Sequence, residues 1–242
     1  AAVQHANTLA RVIRKRRQKD GMIVLSLPES VLKFDEDGRV EDVQQEDDAY
    51  THTIIEMFMV EANEAIARLF DSMNVGVLRR VHPEPALEDL ANLRTMAAAA
   101  GFSVPDDPNR YDLQQLLDAT RDHESARAVH FAVLRTLTKA EYSPAAVGHF
   151  ALASDHYAHF TSPIRRYPDL NVHRGLEAYI EQTENGAVRY TGRKRGQLER
   201  RMQDDARLLP QEDLIALGRH CSDTEGNSTA AERSLREFLV LQ

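Results

Sequence analysis

The stretch "AYTHTIIEMFMVEANEAIARLFDSM", residues 49–73, constrains the fold more than any other part of the chain. Ile55, Phe58, Met59, Ala62, Ile66 and Leu69 recur at helical spacing and mark one apolar stripe. A helix of that length with one apolar face must be buried against other elements, so the chain needs a core built around it. At about 100° per residue, Glu56 and Asn63 fall almost in line at the border of the stripe. An acid and an amide there could point into a cleft or stand on a wet helix face, and spacing alone favours the wet face.

Other elements follow from period and punctuation. Residues 3–19 read as a helix. Residues 22–34 alternate, with Pro28 interrupting. "KFDEDGRVEDV" is a hairpin signal with an Asp37-Gly38 turn. Asp35, Glu36 and Asp37 read as turn formers there, not as metal ligands. Residues 75–81 are strand-like. Residues 83–99, with Pro83 early, and residues 111–120 and 123–137 read as helices, separated by a loop at 101–110. The run 141–162 is β-like and rich in aromatics and histidine. A further helix starts near Ser162, an exposed loop covers 184–196, and residues 197–218 and 229–241 are helical. The fold class expected is mixed α+β, helix-rich.

The length of 242 residues fits one large domain or two small ones. No run approaches the roughly 18 apolar residues of a membrane span, and the basic, amphipathic N-terminus is not a signal peptide. A single cysteine, Cys221, excludes an internal disulfide and fits a reducing compartment. The formal net charge of -8 argues against nucleic acid if read as an average. Local fields matter more, and residues 11–19 and 189–201 each hold a basic cluster. Either cluster, taken alone, reads more simply as a solvated helix face or loop. The acidic excess lies in 35–48 and 204–237. The chain opens inside an amphipathic pattern and closes on the apolar run "SLREFLVLQ", which leads us to expect a fragment.

Phosphate-binding loops, zinc-protease and serine-hydrolase motifs and paired cysteines are absent from the sequence. His149, His156 and His159 sit close together, but spacings of 7 and 3 do not place three nitrogens around one zinc ion. The richest segment is "HFTSPIRRYPDLNVHR", residues 159–174. Ser162 suits a helix N-cap and Pro163 the first helical position. A helix starting there would put Arg165 and Arg166 beside unsatisfied N–H groups, a setting that favours phosphate. Tyr157, Phe160 and Tyr167 could stack on bases or sugars. Pro168 requires the helix to kink or restart. The alternative is that the arginines bridge Asp155, Asp169 or another carboxylate, and physical reasoning alone leaves the two open.

This segment strongly resembles the signature of the ribonuclease II / ribonuclease R family, in its catalytic RNB domain. "LPESVLKFDEDGRVEDV", "IIEMFMVEANEAIA", "YSPAAVGHFALASDHYAHFTSPIRRY" and "LGRHCSDTE" followed by "AAERSLREF" extend the resemblance, in order, over residues 1–242. It implies the C-terminal portion of an RNB catalytic domain, incomplete at the N-terminus. It further implies a cytoplasmic, monomeric, processive 3′→5′ exoribonuclease that hydrolyses single-stranded RNA to nucleoside 5′-monophosphates with Mg2+. By the same resemblance, Arg165 and Glu225 are catalytic: the first stabilises charge on the scissile phosphate, the second sits near the leaving end. Glu56 would contact the terminal ribose. Asn63, Arg166, Tyr167, His173 and Arg174 would complete the substrate pocket.

Two departures stand out. The family's metal-binding aspartates have no counterpart here and would lie upstream of Ala1, so negligible activity is expected of this polypeptide alone. Gly226 stands where the family usually has Arg, which puts the local helix and the placement of Glu225 in question. The family's flanking OB-fold RNA-binding domains are missing as well. A non-catalytic RNA-binding or scaffold protein on the same fold is the competing expectation.

Overall fold

The structure is a computed structural model and describes residues 1–25, 27, 30–45, 50–186 and 190–241. The chain order is α1 (Ala2–Lys19), β1 (Ser30–Phe34), β2 (Val40–Gln45), α2 (Tyr50–Ser72), β3 (Arg79–Val81), α3 (Leu87–Ala99), α4 (Arg110–Thr120), α5 (Ala126–Thr136), β4 (Glu141–Ser143), α6 (Tyr167–Gln182), α7 (Gly192–Gln203) and α8 (Gln211–Val240). A single 3₁₀ turn lies at Phe150–Leu152. The fold is α+β and helix-rich, as expected. Among the described residues no helix is long and apolar enough to cross a membrane.

The chain divides into two compact units. One contains residues 1–54, 85–137 and 223–242; the other contains residues 55–84 and 138–222. In the first unit, α3 and α4 pack on α5. Leu93, Ala97, Leu113, Leu117, Val129 and Val133 supply their buried positions. Asn109 caps α4: its Oδ1 accepts from the Tyr111 and Asp112 N–H groups, and Asp112 returns the bond to the Asn109 N–H. β1 and β2 form an antiparallel hairpin in which Asp35 Oδ1 accepts from the Asp37 and Arg39 N–H groups. Gly38 sits at φ +78°, which glycine adopts without strain. The hairpin expectation holds, and Asp35 is the turn former. Pro28 and part of the 35–48 acidic run lie outside the described residues.

In the second unit, Ala67 and Phe70 of α2, Val172 and Ala178 of α6, and Leu198 and Met202 of α7 join Met73, Val75, Val77 and Ala158 in one apolar cluster. β3 and β4 pair antiparallel, and both edges of this two-stranded sheet are occupied. On one edge the Arg80 N–H donates to the Tyr157 carbonyl. On the other, the Tyr142 N–H donates to Ser222 Oγ of α8, which itself donates to the Gly218 carbonyl. A Cβ on Gly218 would lie 2.5 Å from the Tyr142 carbonyl oxygen, so the helix meets the strand backbone directly.

Several sequence expectations need correction. The buried face of α2 is Met57, Val60, Asn63, Ala67 and Phe70, while Ile55 is 61% exposed. The apolar pattern is broad enough to admit a neighbouring face, and the polar Asn63 disguised the real one. The helix expected from Ser162 begins at Tyr167, with Arg166 as N-cap and Pro168 in the first turn. Pro168, not Pro163, takes the early helical position, because either proline is tolerated there and only the second is followed by a continuous helical pattern. Pro83 precedes α3, which starts after Ala86. In 75–81 only Arg79–Val81 pairs as strand, and much of 141–162 is irregular. Residues 192–196 belong to α7, not to a loop, and 187–189 lie outside the described residues. The break expected between 218 and 229 is absent: α8 runs unbroken through Gly226. One glycine costs at most about 1 kcal/mol, too little to interrupt a 30-residue helix.

Candidate functional site

The 159–166 segment carries most of the polar design in the second unit. Ser162 through Arg166 make one tight turn, in which the Arg165 and Arg166 N–H groups donate to the Ser162 carbonyl at 3.2 and 3.1 Å. Three side chains hold the turn from beneath. Asn63 Oδ1 of α2 accepts from the Phe160 and Thr161 N–H groups at 2.9 and 3.2 Å. Asp169 Oδ1 of α6 accepts from the Ser162 N–H at 2.8 Å. His173 Nε2 bonds the Phe160 carbonyl at 2.8 Å, and its ring stacks on Phe160 at 4.3 Å between centroids. Asn63 is 2% exposed and Asp169 fully buried. The Asn63 amide is completed by donation from Nδ2 to the Tyr157 hydroxyl at 3.1 Å. Buried polar groups are tolerated when bonded in this way.

The two adjacent arginines divide between the two expectations. Arg166 meets Asp169 with two parallel bonds of 2.8 Å, so the carboxylate alternative holds for it. Arg165 is exposed, and its guanidinium has no hydrogen-bond or ion-pair partner among the described residues. Arg174 is likewise exposed without such a partner. Of the rings proposed for stacking, Tyr157 is buried and Phe160 is covered by His173. Tyr167, 48% exposed, remains accessible.

Behind the turn lies a layer of rings. The Tyr142 hydroxyl pairs with His159 Nδ1 at 2.9 Å. His82 and His149 stack at 4.8 Å, and Arg80 lies over the Tyr142 ring. Burial, and then the positive charges of Arg166 and Arg80, push the His159 pKa down to about 3. Burial, reinforced by His82 and Arg80, pushes His149 down to about 3 as well. Both rings are therefore neutral at pH 7 and act as packing and hydrogen-bonding groups. His156 pairs with Asp71, which also receives the Arg79 guanidinium.

Thus Asn63, Arg166 and His173 converge on one backbone segment, while Arg165, Tyr167 and Arg174 face outward from it. Glu56 is exposed on α2, two turns before Asn63. Glu225 is half-buried on α8, in the residues assigned to the other unit. Sequence reasoning missed the Tyr142–His159 pair and the Asp71–Arg79–His156 group, since nothing in their spacing distinguishes them from surface residues. Asp169 was legible only as one of several carboxylates an arginine might meet. Among the described residues, no three His, Cys, Asp or Glu side chains are grouped so as to hold a metal ion. The described residues therefore offer no ligand set for the Mg2+ that the resemblance implies.

A helix-rich α+β fold with a rigidly held arginine turn defines the class, and sequence comparison supplies the family. The RNB domain model matches residues 1–182, and the chain belongs to the RNB family. It is similar to the ribonuclease R of Thermotoga maritima, at 35% identity over 238 residues, which cover 96% of this chain and 31% of that protein. Mycoplasma genitalium RNase R, solved in complex with ribose-methylated single-stranded RNA, superposes with a TM-score of 0.83 at 30% identity, covering 98% of this chain and 35% of that one. The chain thus spans about a third of the length of these relatives. Yeast Ssd1, described as a pseudonuclease, shares the fold at a TM-score of 0.59 and 21% identity, over 84% of this chain and 26% of that one.

Proposed function

We propose that this chain forms the phosphate-facing part of a processive 3′→5′ exoribonuclease, acting on single-stranded RNA and releasing nucleoside 5′-monophosphates. The observation that carries the reading is the contrast at 165–166. Arg166 is neutralised by Asp169 and locks the turn, whereas Arg165 is exposed, uncompensated and mounted on backbone fixed by three side chains. A fixed, unpaired guanidinium is suited to charge that develops on phosphate oxygens, because it needs little reorganisation as the reaction proceeds.

In the proposed step, water attacks the last internucleotide phosphorus. The bond from phosphorus to the 3′-oxygen of the preceding residue breaks, and Arg165 bonds the non-bridging oxygens as their charge grows. Tyr167 offers a ring for the terminal base. Glu56 reads the ribose 2′-hydroxyl, the group that separates RNA from DNA. Glu225 acts near the leaving nucleotide. Asn63, Arg166 and His173 serve by holding the turn, and Arg174 adds a cation on the same helix. Any Mg2+ the hydrolysis uses is held by ligands outside the described residues.

The test uses the full protein with Mg2+ and a 5′-labelled single-stranded oligoribonucleotide. The expected products are a short 5′-labelled limit fragment, appearing while uncut oligomer remains, and free nucleoside 5′-monophosphates. Arg165→Ala should lower turnover about 10²- to 10³-fold, the loss typical of one oxyanion-stabilising donor, with RNA affinity little changed. Weaker binding with unchanged turnover per bound molecule would reject the role of Arg165. RNA binding without any cleavage by the wild type would favour the non-catalytic RNA-binding reading.

A further inference from the structure

The α7 helix carries a charged face that the reading above does not use. At 100° per residue, Arg193, Lys194, Gln197, Arg200 and Arg201 fall within an arc of about 120°. Leu198 and Met202, on another face, are buried in the apolar cluster with α2 and α6. The four cations are exposed, and none has a hydrogen-bond or ion-pair partner for its side chain among the described residues. Arg195, outside the arc, behaves as a structural arginine: it pairs with Glu199 and donates to the Ser72 carbonyl.

Two features argue against a merely solvated face. Arg193 and Lys194 stand in the first turn of α7, where the helix dipole disfavours cations. Helix stability alone would place acids there, and the first turn contains none. Three of the four cations, Lys194, Arg200 and Arg201, also line a recess of about 660 Å³ together with Tyr190, Gln197 and Asp204. Tyr190 packs against the apolar cluster, so its ring is supported at the rim. The cationic arc runs for about 12 Å along the helix, enough to meet about three phosphates of a stacked strand at 3.4 Å per nucleotide. An open basic groove with a supported aromatic ring is the arrangement that tracks a single-stranded backbone without reading its sequence.

We propose that α7 forms a second RNA-contacting groove, distinct in sequence from the 159–174 segment, in which Lys194, Arg200 and Arg201 bind backbone phosphates and Tyr190 stacks on a base. This rests on the ribonuclease reading for its choice of RNA. Its partner is a single strand, held through charge and not through base sequence.

The test is the salt dependence of binding, which needs no catalysis. The full chain, and its Lys194→Gln/Arg200→Gln/Arg201→Gln variant, would be titrated with a fluorescent 20-nucleotide oligouridylate between 50 and 300 mM salt. Each single-strand phosphate contact adds about 0.7 to the slope of log affinity against log salt, so the variant should lose about 2 from that slope. Lys194→Gln alone should lose about a third as much. The substituted side chains are exposed and unpaired, so an unchanged unfolding midpoint accompanies the loss. An unchanged slope overturns the proposal and leaves the role of Arg165, read by turnover, untouched. Loss of polyglutamate binding with RNA binding unaltered overturns it in favour of an acidic protein partner. A wild-type chain with no salt-dependent RNA binding overturns it as well.

Discussion

Polar side chains are buried in both compact units, but they converge on one backbone segment only in the second. In the unit of α3, α4 and α5, the Thr120 hydroxyl bonds the Leu116 carbonyl, Thr136 bonds the Val133 carbonyl, and His130 bonds the Leu117 carbonyl. Each of these three returns to its own helix or to the helix just before it, whereas the buried Gln114 of α4 reaches further and accepts one bond from the Val24 N–H, 90 positions away. In the unit of α2, α6 and α7, Asn63 reaches residues 97 and 98 positions away, and Asp169 and His173 turn back on the segment that precedes their own helix. The first pattern closes helices mainly on themselves, with a single long-range bond at Gln114. The second spends buried polarity on irregular backbone, which costs order and is retained where a loop must be held in one conformation. The convergence of Asn63, Asp169 and His173 on residues 160–162 singles out that segment as the one most firmly held.

The comparison can be broken by substitution. Asp169→Ala removes both the Arg166 partner and the Ser162 acceptor. We expect a loss of about 3 kcal/mol in urea unfolding, the low end for a broken buried pair because the Arg166 side chain still reaches water. A loss below about 1 kcal/mol, in the range of an exposed pair, would show that the turn is not held from α6. Asn63→Ala should cost about 2 kcal/mol, since two N–H groups lose their acceptor. The matched change in the other unit, Thr136→Val, should cost less than about 1 kcal/mol. Equal losses would erase the distinction.

Acidification sharpens the same contrast more gently. His149 and His159 are held down to about 3 in the folded chain, chiefly by burial, against an ordinary value of 6.5. Between those values the unfolded chain binds protons that the folded chain does not, so stability rises with pH across this window. As pH falls below about 6.5 toward 3, each ring should cost about 1.4 kcal/mol per pH unit. Urea unfolding at pH 7, 6 and 5 measures the slope. His149 Nδ1 has no hydrogen-bond partner among the described residues, so His149→Phe should leave the fold intact and take about 1.4 kcal/mol per pH unit off the slope, leaving the share of His159 and of His82, which burial also holds down. An unaltered slope would mean that His149 is not a neutral, buried ring.

The sequence made the helix-rich class, the hairpin at Asp37-Gly38 and the importance of 159–174 legible, because each rests on local chemistry: period, turn residues, and clustered Arg and Pro. It misplaced what depends on tertiary context. The buried face of α2 is set by what packs on it, and an asparagine at its centre reads as polar until its three partners are known. The choice between Ser162-Pro163 and Tyr167-Pro168 as the start of α6 could not be made locally, because each pair is compatible with a helix start. The split between Arg165 and Arg166 was left open, since only Asp169, one turn into α6, decides which arginine is neutralised.

The contact of α8 with β4 has a consequence for association between molecules. A two-stranded sheet ordinarily leaves backbone donors and acceptors along its outer edges, which recruit strands from other chains. Here the Ser222 hydroxyl takes the Tyr142 donor, and the bare Cα of Gly218 brings the helix flush against that border. A methyl group at 218 would pry the helix away and bare the strand. Gly218→Ala would therefore both cost stability and open a border on which strands of other molecules pair.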